Sequence, residues 1–178
     1  MQLARTKYLI APAQLEDVDA MINVDLAAGQ LFAPTGHISG EALNDHVPAT
    51  VLEQAIGAGD IFKTQTREGI VAGFALVSRR GGTLYLDQIS VHPDHGRQGL
   101  GASLMQHVFQ LAKKRKLKQV TLSTFREIPW NGPFYRKLGF RELARREMAD
   151  WMLELERIQA QSLDVSQRCF MVRRIGWL

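Results

Sequence analysis

A chain of 178 residues, 46% hydrophobic and 22% charged, is long enough for one domain with a substantial core and too ordinary in composition for a disordered or fibrous protein. Its net charge of +4 mildly favours anionic partners, and a single cysteine, Cys169, excludes an intramolecular disulfide and fits a reducing compartment. No apolar run reaches the roughly 18 residues of a membrane-spanning helix, and "MQLARTKYLIAPAQLEDVDAM" lacks the apolar core and cleavage site of a signal peptide, so a cytoplasmic protein is expected.

Residues 7–12, "KYLIAP", predict a short strand stopped by Pro12. Val18, Met21, Ile22 and Leu26 recur at helical spacing. Residues 29–48 are rich in turn formers and have no period, which predicts a loop or short irregular helix. Leu52, Ala55 and Ile56 indicate a short helix closed by Gly57 and Gly59. Residues 60–66 and 69–78 are strand-like, with "REG" between them as a hairpin turn and "RRGG" ending the second.

The next strand, "TLYLDQISVH", changes parity. Leu84 and Leu86 share one face, whereas Ile89 and Val91 share the other. One extra residue, a β-bulge near Asp87 and Gln88, explains the change; a strand buried on both faces explains it equally. Leu100, Leu104, Val108, Leu111 and Ala112 then form one helical face, closed by "KKRK" at 113–116, where cations complement the helix dipole. "QVTLSTF" at 119–125 is another strand. "NGPFYRKLGF" at 131–140 is a short helix that Asn131 can cap, with Pro133 in its first turn and Gly139 at its end. Met148, Trp151, Met152, Leu155 and Ile158 mark a further helix, and "RCFMVRRI" at 168–175 a last strand, with Cys169 as a small core residue. Strands mixed with helices in this order predict one α/β or α+β layer structure.

Between strand and helix lies "VHPDHGRQGLGASLM", with glycines at 96, 99 and 101. A glycine turn opening a helix gathers free N–H groups and the positive end of the helix dipole, a setting that suits phosphate, and Arg97 can add a charged contact. The order G-x-x-G-x-G is not the dinucleotide fingerprint, and Gly101 is followed by Ala102 and Ser103 rather than by the Lys-Ser/Thr of a P-loop. A tight turn without a ligand stays open on these residues alone.

Together "SVHPDHGRQGLGASLM" and "NGPFYRKLGF" resemble the coenzyme-binding and later segments of the GNAT superfamily of acetyl-CoA-dependent N-acetyltransferases, over residues 60 to 142. The resemblance implies a single acetyltransferase-like domain over 1–178, with a mixed, mostly antiparallel central sheet, a bulged and splayed strand, and flanking helices. It implies that the amides of Arg97, Gln98, Gly99, Leu100, Gly101 and Ala102, in the turn opened by Gly96, hold the pyrophosphate of acetyl-CoA. It also implies that Ile89 and Val91 pair with the pantetheine arm, that Asn131 contacts the coenzyme, and that Tyr135 is the general acid. Two departures stand out: Gly96 occupies a position where the family often has Gln or Arg, and Ser123 one where many members carry Glu.

Each role has a plainer counterpart. Phe134, Tyr135 and Leu138 can be the core face of a short helix, and Asn131 can be an N-cap alone. Asp87, on an otherwise apolar strand at the suspected bulge, is the candidate base, or a carboxylate satisfied by neighbouring N–H groups. His37 and His46 can line a substrate site or simply lie at the surface. His92 and His95 have no partner cluster, so no metal is expected. "KKRKLK" at 113–118 has no interleaved aromatics and reads as a solvated helix end rather than a nucleic-acid site. The expected activity is acetyl transfer to a small primary amine in a pocket walled by 29–48 and 126–130. A non-catalytic acyl-CoA sensor and a basic nucleic-acid-binding domain are the alternatives; no membrane partner is expected, and homodimerisation is left open.

Overall fold

Strand-forming runs separated by amphipathic stripes build one open sheet with helices on both faces. The computed structural model describes residues 7–176. The elements are β1 (Tyr8–Pro12), α1 (Val18–Gly29), α2 (Ala49–Ala58), β2 (Ile61–Thr66), β3 (Val71–Arg80), β4 (Thr83–Val91), α3 (Leu100–Lys114), β5 (Gln119–Phe125), α4 (Gly132–Lys137), β6 (Arg141–Glu142), α5 (Asp150–Gln159) and β7 (Arg168–Arg174). The seven strands lie in the order β1-β2-β3-β4-β5-β7-β6. Every neighbouring pair is antiparallel except β4 and β5, which are parallel and joined through α3. Among the described residues no helix is long and apolar enough to cross a membrane.

The period of two in the strands sorts the core into layers. Ala75, Val77, Leu84, Leu86, Val120 and Leu122 face α3 and α4, where Leu104, Met105 and Val108 are fully buried. Each such side chain contributes about 1.5–3 kcal/mol by leaving water. Phe74 and Leu76 point the other way, onto Met21 and Val24 of α1 and Leu52 of α2. Tyr85 and Phe170 share that second face and pack on Met152 of α5.

The parity change in β4 is a bulge. Leu76 pairs with Gln88 and Val77 with Leu86, so Asp87 is the extra residue. The first half of the strand, Thr83 to Leu86, is nevertheless buried on both faces, so each of the two sequence readings describes part of β4. Past the bulge the sheet divides. The β4–β5 ladder runs Leu84 with Val120, Tyr85 with Thr121 and Leu86 with Leu122, then stops. β4 stays with β3 as far as the Gly73–Val91 pair, while β5 stays with β7 as far as Phe125 and Arg168. A wedge therefore opens beyond Leu86 and Leu122.

One buried carboxylate holds the near lip of that wedge. Asp25 of α1, 5% exposed, accepts from the Gln88 side chain at 2.7 Å, the Ser90 hydroxyl at 2.7 Å and the Val47 backbone N–H at 2.8 Å. It ties the bulged strand to α1 and to the irregular segment, and nothing in the helical pattern of α1 announces it. Asp25→Ala leaves three donors without their acceptor, one of them on the buried Ser90, and is expected to lower stability by about 2–4 kcal/mol, read by urea denaturation.

The 29–48 segment contains two 3-10 turns, Gln30–Thr35 and Gly40–Asn44, in keeping with an irregular segment. Several boundaries differ from expectation. Gly57 lies inside α2, which ends at Gly59. Met148 precedes α5, and β6 pairs with β7 where no strand was anticipated, because two residues carry no periodic signal. Asn131 stands at the N-cap position of α4 without capping it. Its side-chain amide donates to the Trp130 carbonyl at 3.0 Å, and its own backbone carbonyl accepts from the Tyr135 N–H at 3.0 Å.

Candidate functional site

The glycine turn lies at one end of the wedge. After the 3-10 turn Pro93–His95, Arg97 and Gly99 take left-handed backbone angles, φ 58° and 74°, and α3 begins at Leu100. Arg97 is an unusual residue for that conformation, whereas Gly99 adopts it without steric cost. The Ser103 N–H donates to the Gly99 carbonyl at 3.0 Å, so the amides of Leu100, Gly101 and Ala102 precede the first intrahelical bond. Together with the helix dipole they form a place for an anion. A Cβ on Gly99 would meet nothing within 4 Å, so the backbone faces open space there. The turn is braced from outside the motif by the Tyr8 hydroxyl of β1, which lies 3.0 Å from Nδ1 of His95, and from within by His92, whose Nδ1 accepts from the Asp94 N–H at 3.1 Å.

The wedge and the turn belong to one cleft of about 1090 Å³. Of the residues singled out in the sequence, Asp87, Ile89, Val91, Gly96, Arg97, Gly99, Leu100, Gly101, Ala102, Asn131 and Tyr135 all line it, and Gln98 does not. His46 lines it as well, whereas His37 stacks against Phe125 with ring centroids 5.2 Å apart. From the two expected walls come Phe32, Ile38 and Trp130. The cleft also takes in Ser162, Leu163 and Arg168, which sequence reasoning passed over because they lie far along the chain in no recognisable motif.

Two ionisable groups on the cleft are perturbed by burial. Tyr135 is 4% exposed, and its phenol is pushed well above the usual tyrosine value, mainly by desolvation. Its ring packs on Phe134 and Phe140, so the core reading of α4 and a hydroxyl on the cleft hold together. Asp87 is also raised. Burial is the chief cause, opposed by the nearby Ser78 side chain and by the charge of Arg80, whose Nη2 lies 3.1 Å from Oδ1. Its other oxygen, Oδ2, is buried with no hydrogen-bond partner among the described residues. The Arg80 guanidinium therefore satisfies one carboxylate oxygen, and the other is left without a donor on the bulge. The site thus offers an anion cradle, an unpaired strand edge, a protonated phenol and a carboxylate of raised basicity. Among the described residues no group of three or more His, Cys, Asp or Glu side chains is placed to hold a metal.

Residues 58–142 match the family described as acetyltransferase (GNAT) domain. Nearly the whole chain resembles solved structures of such proteins. The ribosomal-protein-S18-alanine N-acetyltransferase of Escherichia coli is 19% identical with a TM-score of 0.68, covering 96% of each chain. The PaiA N-acetyltransferase of Thermoplasma acidophilum, solved with coenzyme A, is 16% identical with a TM-score of 0.74, covering 95% of this chain and 99% of that one. N-acetylglutamate synthase of Neisseria gonorrhoeae, solved with coenzyme A and N-acetyl-glutamate, is 14% identical with a TM-score of 0.72, covering 97% of this chain but 36% of that longer one.

Proposed function

We propose that this chain, whose residues 58–142 match the acetyltransferase (GNAT) domain family, is an N-acetyltransferase that moves an acetyl group from acetyl-CoA to a primary amine, by direct attack within a ternary complex. The observation that carries this reading is the wedge beyond Leu86 and Leu122, with the glycine turn at one end and Asp87 and Tyr135 on the same cleft. Acetyl-CoA is an anion joined to an extended, amide-bearing arm and a thioester. The turn from Arg97 to Ala102 suits its pyrophosphate. The edge of β4 at Ile89 and Val91, no longer paired with β5, suits hydrogen bonding to the arm. A structure solved with coenzyme A on a similar fold supports coenzyme A as the cosubstrate.

In this reading the thioester carbonyl lies at the fork, where backbone N–H groups of the bulged strand polarise it. The amine, freed of a proton by Asp87 directly or through water, attacks the carbonyl carbon. The C–S bond breaks, and the departing thiolate takes the proton of the Tyr135 hydroxyl. A thiol of pKa roughly 8.5 leaves an anion that a neutral phenol can protonate as charge develops. The burial that raises Tyr135 keeps it protonated, and the burial that raises Asp87 strengthens it as a base.

The reading is tested by incubating acetyl-CoA with a panel of primary amines and following free thiol. Amine-dependent release supports it; coenzyme binding without release with any amine would replace it with an acyl-CoA sensor. A narrower check concerns the turn. Asn tolerates the left-handed conformation better than other side chains do, so Gly99→Asn keeps the backbone and fills the open space. It is expected to weaken coenzyme binding by at least about 10-fold while the protein stays folded, because a side chain there blocks the approach of phosphate to the amides. Calorimetric titration with coenzyme A measures it, and unchanged affinity would reduce the glycine to a turn former.

A further inference from the structure

Building on the acetyltransferase reading, we propose that the acceptor is a primary amine that also carries a carboxylate, of amino-acid type, and that Arg168 binds that carboxylate. Arg168 opens β7, faces Phe125 of β5 in the ladder and lines the cleft. Its guanidinium stands over the Phe125 ring, 4.6 Å from the centroid. Nη2 donates to the Ser123 hydroxyl at 3.2 Å, and Nε donates weakly to Oε1 of Gln159 at 3.4 Å. Both acceptors are neutral. No carboxylate among the described residues lies within 4.0 Å of it, whereas Lys63, Arg80, Arg115 and Arg126 pair with Asp17, Asp87, Asp60 and Glu142.

An arginine cannot shed its proton in a protein, so a partly buried one without a counter-ion is costly to hold. Burial lowers its affinity for the proton, opposed by the nearby Tyr85, Cys169 and Tyr135 and by no carboxylate. A charge kept in this state at a cleft is set for an anion from outside, and the planar fork of the guanidinium matches a carboxylate.

Its position fits the acceptor rather than the coenzyme. Ser123 is the first residue of β5 beyond the last β4–β5 pair, so the hydrogen bond from Arg168 places the guanidinium beside the fork of the wedge. By strand parity Ser123 and Phe125 point to the face of Tyr85 and α5, opposite α3, whose first turn forms the anion cradle. Asp87 stands on the other lip. A substrate with its amine toward Asp87 and the thioester, and its carboxylate on Arg168, therefore spans the opening. Phe32, Phe125 and Trp130, in a chain of ring contacts of 5.7 Å each, form an apolar wall for the body between the two charges.

The test measures binding without turnover. The protein is saturated with coenzyme A, which carries no acetyl group, and titrated with matched pairs that differ only by the carboxylate: phenylalanine and phenethylamine, glutamate and 4-aminobutyrate, leucine and isoamylamine. In the second pair the α-carboxylate is the group lost. At least one carboxylated member is expected to bind roughly 10–100-fold more tightly than its counterpart, the usual worth of hydrogen bonds to a charged group. Arg168→Gln should erase that preference and Arg168→Lys should retain part of it, both with wild-type coenzyme affinity, which also reports that they are folded. A panel in which no carboxylated member outbinds its counterpart, or a preference that survives in Arg168→Gln, overturns the assignment. Thiol release with acetyl-CoA is read separately: turnover only with amines that lack a carboxylate leaves the acetyltransferase reading standing and removes this one.

Discussion

Tyr135→Phe is expected to lower turnover by roughly 10²–10⁴-fold, the usual worth of a positioned general acid. The substitution removes one hydroxyl and keeps the ring, whose contacts with Phe134 and Phe140 hold α4 in the core. Fold and coenzyme affinity should therefore change little, since a ground-state thioester needs no proton. The loss should shrink with an acyl donor whose leaving thiol is more acidic, because that thiolate needs less help; misfolding would affect both donors alike. In wild type the phenol must stay protonated. Burial places its ionisation above the ordinary value of about 10, so deprotonation of Tyr135 should cause no loss of rate up to that pH. A Phe variant with near-normal turnover on an accepted amine would reduce Tyr135 to core packing.

Asp87→Asn is expected to cost about 10²-fold or more at neutral pH and to flatten the acid side of the rate profile. The raised carboxyl must be ionised to accept a proton, so the wild-type rate should fall as pH drops through that raised value, earlier than for an ordinary Asp near 3.9. Stability gives an independent reading of the same group. Between the ordinary value and the raised one, the native state binds more protons than the unfolded chain. Asp87 therefore makes the protein less stable as pH rises through that window, and the Asn variant should lack this slope. Denaturation at several acidic pH values measures it. If both the rate profile and the stability slope match wild type, Asp87 is structural and water takes the proton.

The parity change between Leu86 and Ile89 was legible from the chain because a strand has a strict period of two, and one extra residue is the simplest way to move an apolar set across it. The left-handed position at Gly99 and the helix it opens were legible for a similar reason: glycine placement, a helical stripe and a basic end are local signals. The same holds for α4, where Pro133 and Gly139 mark the ends. These patterns, with the two motif segments, brought Asp87, Tyr135 and the amides of the turn forward together.

What the chain alone left undecided depends on contacts across long separations. Whether Asn131 caps α4 rested on a side-chain rotamer, and its amide turned to Trp130. Asp25 reads as one polar residue on an amphipathic helix until Gln88 and Ser90 arrive 63 and 65 residues later to donate to it. Arg168 reads as one of many basic residues at a strand start until β7 pairs with β5 and leaves it beside Ser123 without a carboxylate. Local sequence fixes backbone conformation and periodicity because those forces act within a few residues. The state of a buried charge depends on what the fold places against it, and only the tertiary structure decided that Asp87 keeps one oxygen without a donor and Arg168 a charge without a carboxylate on the same cleft.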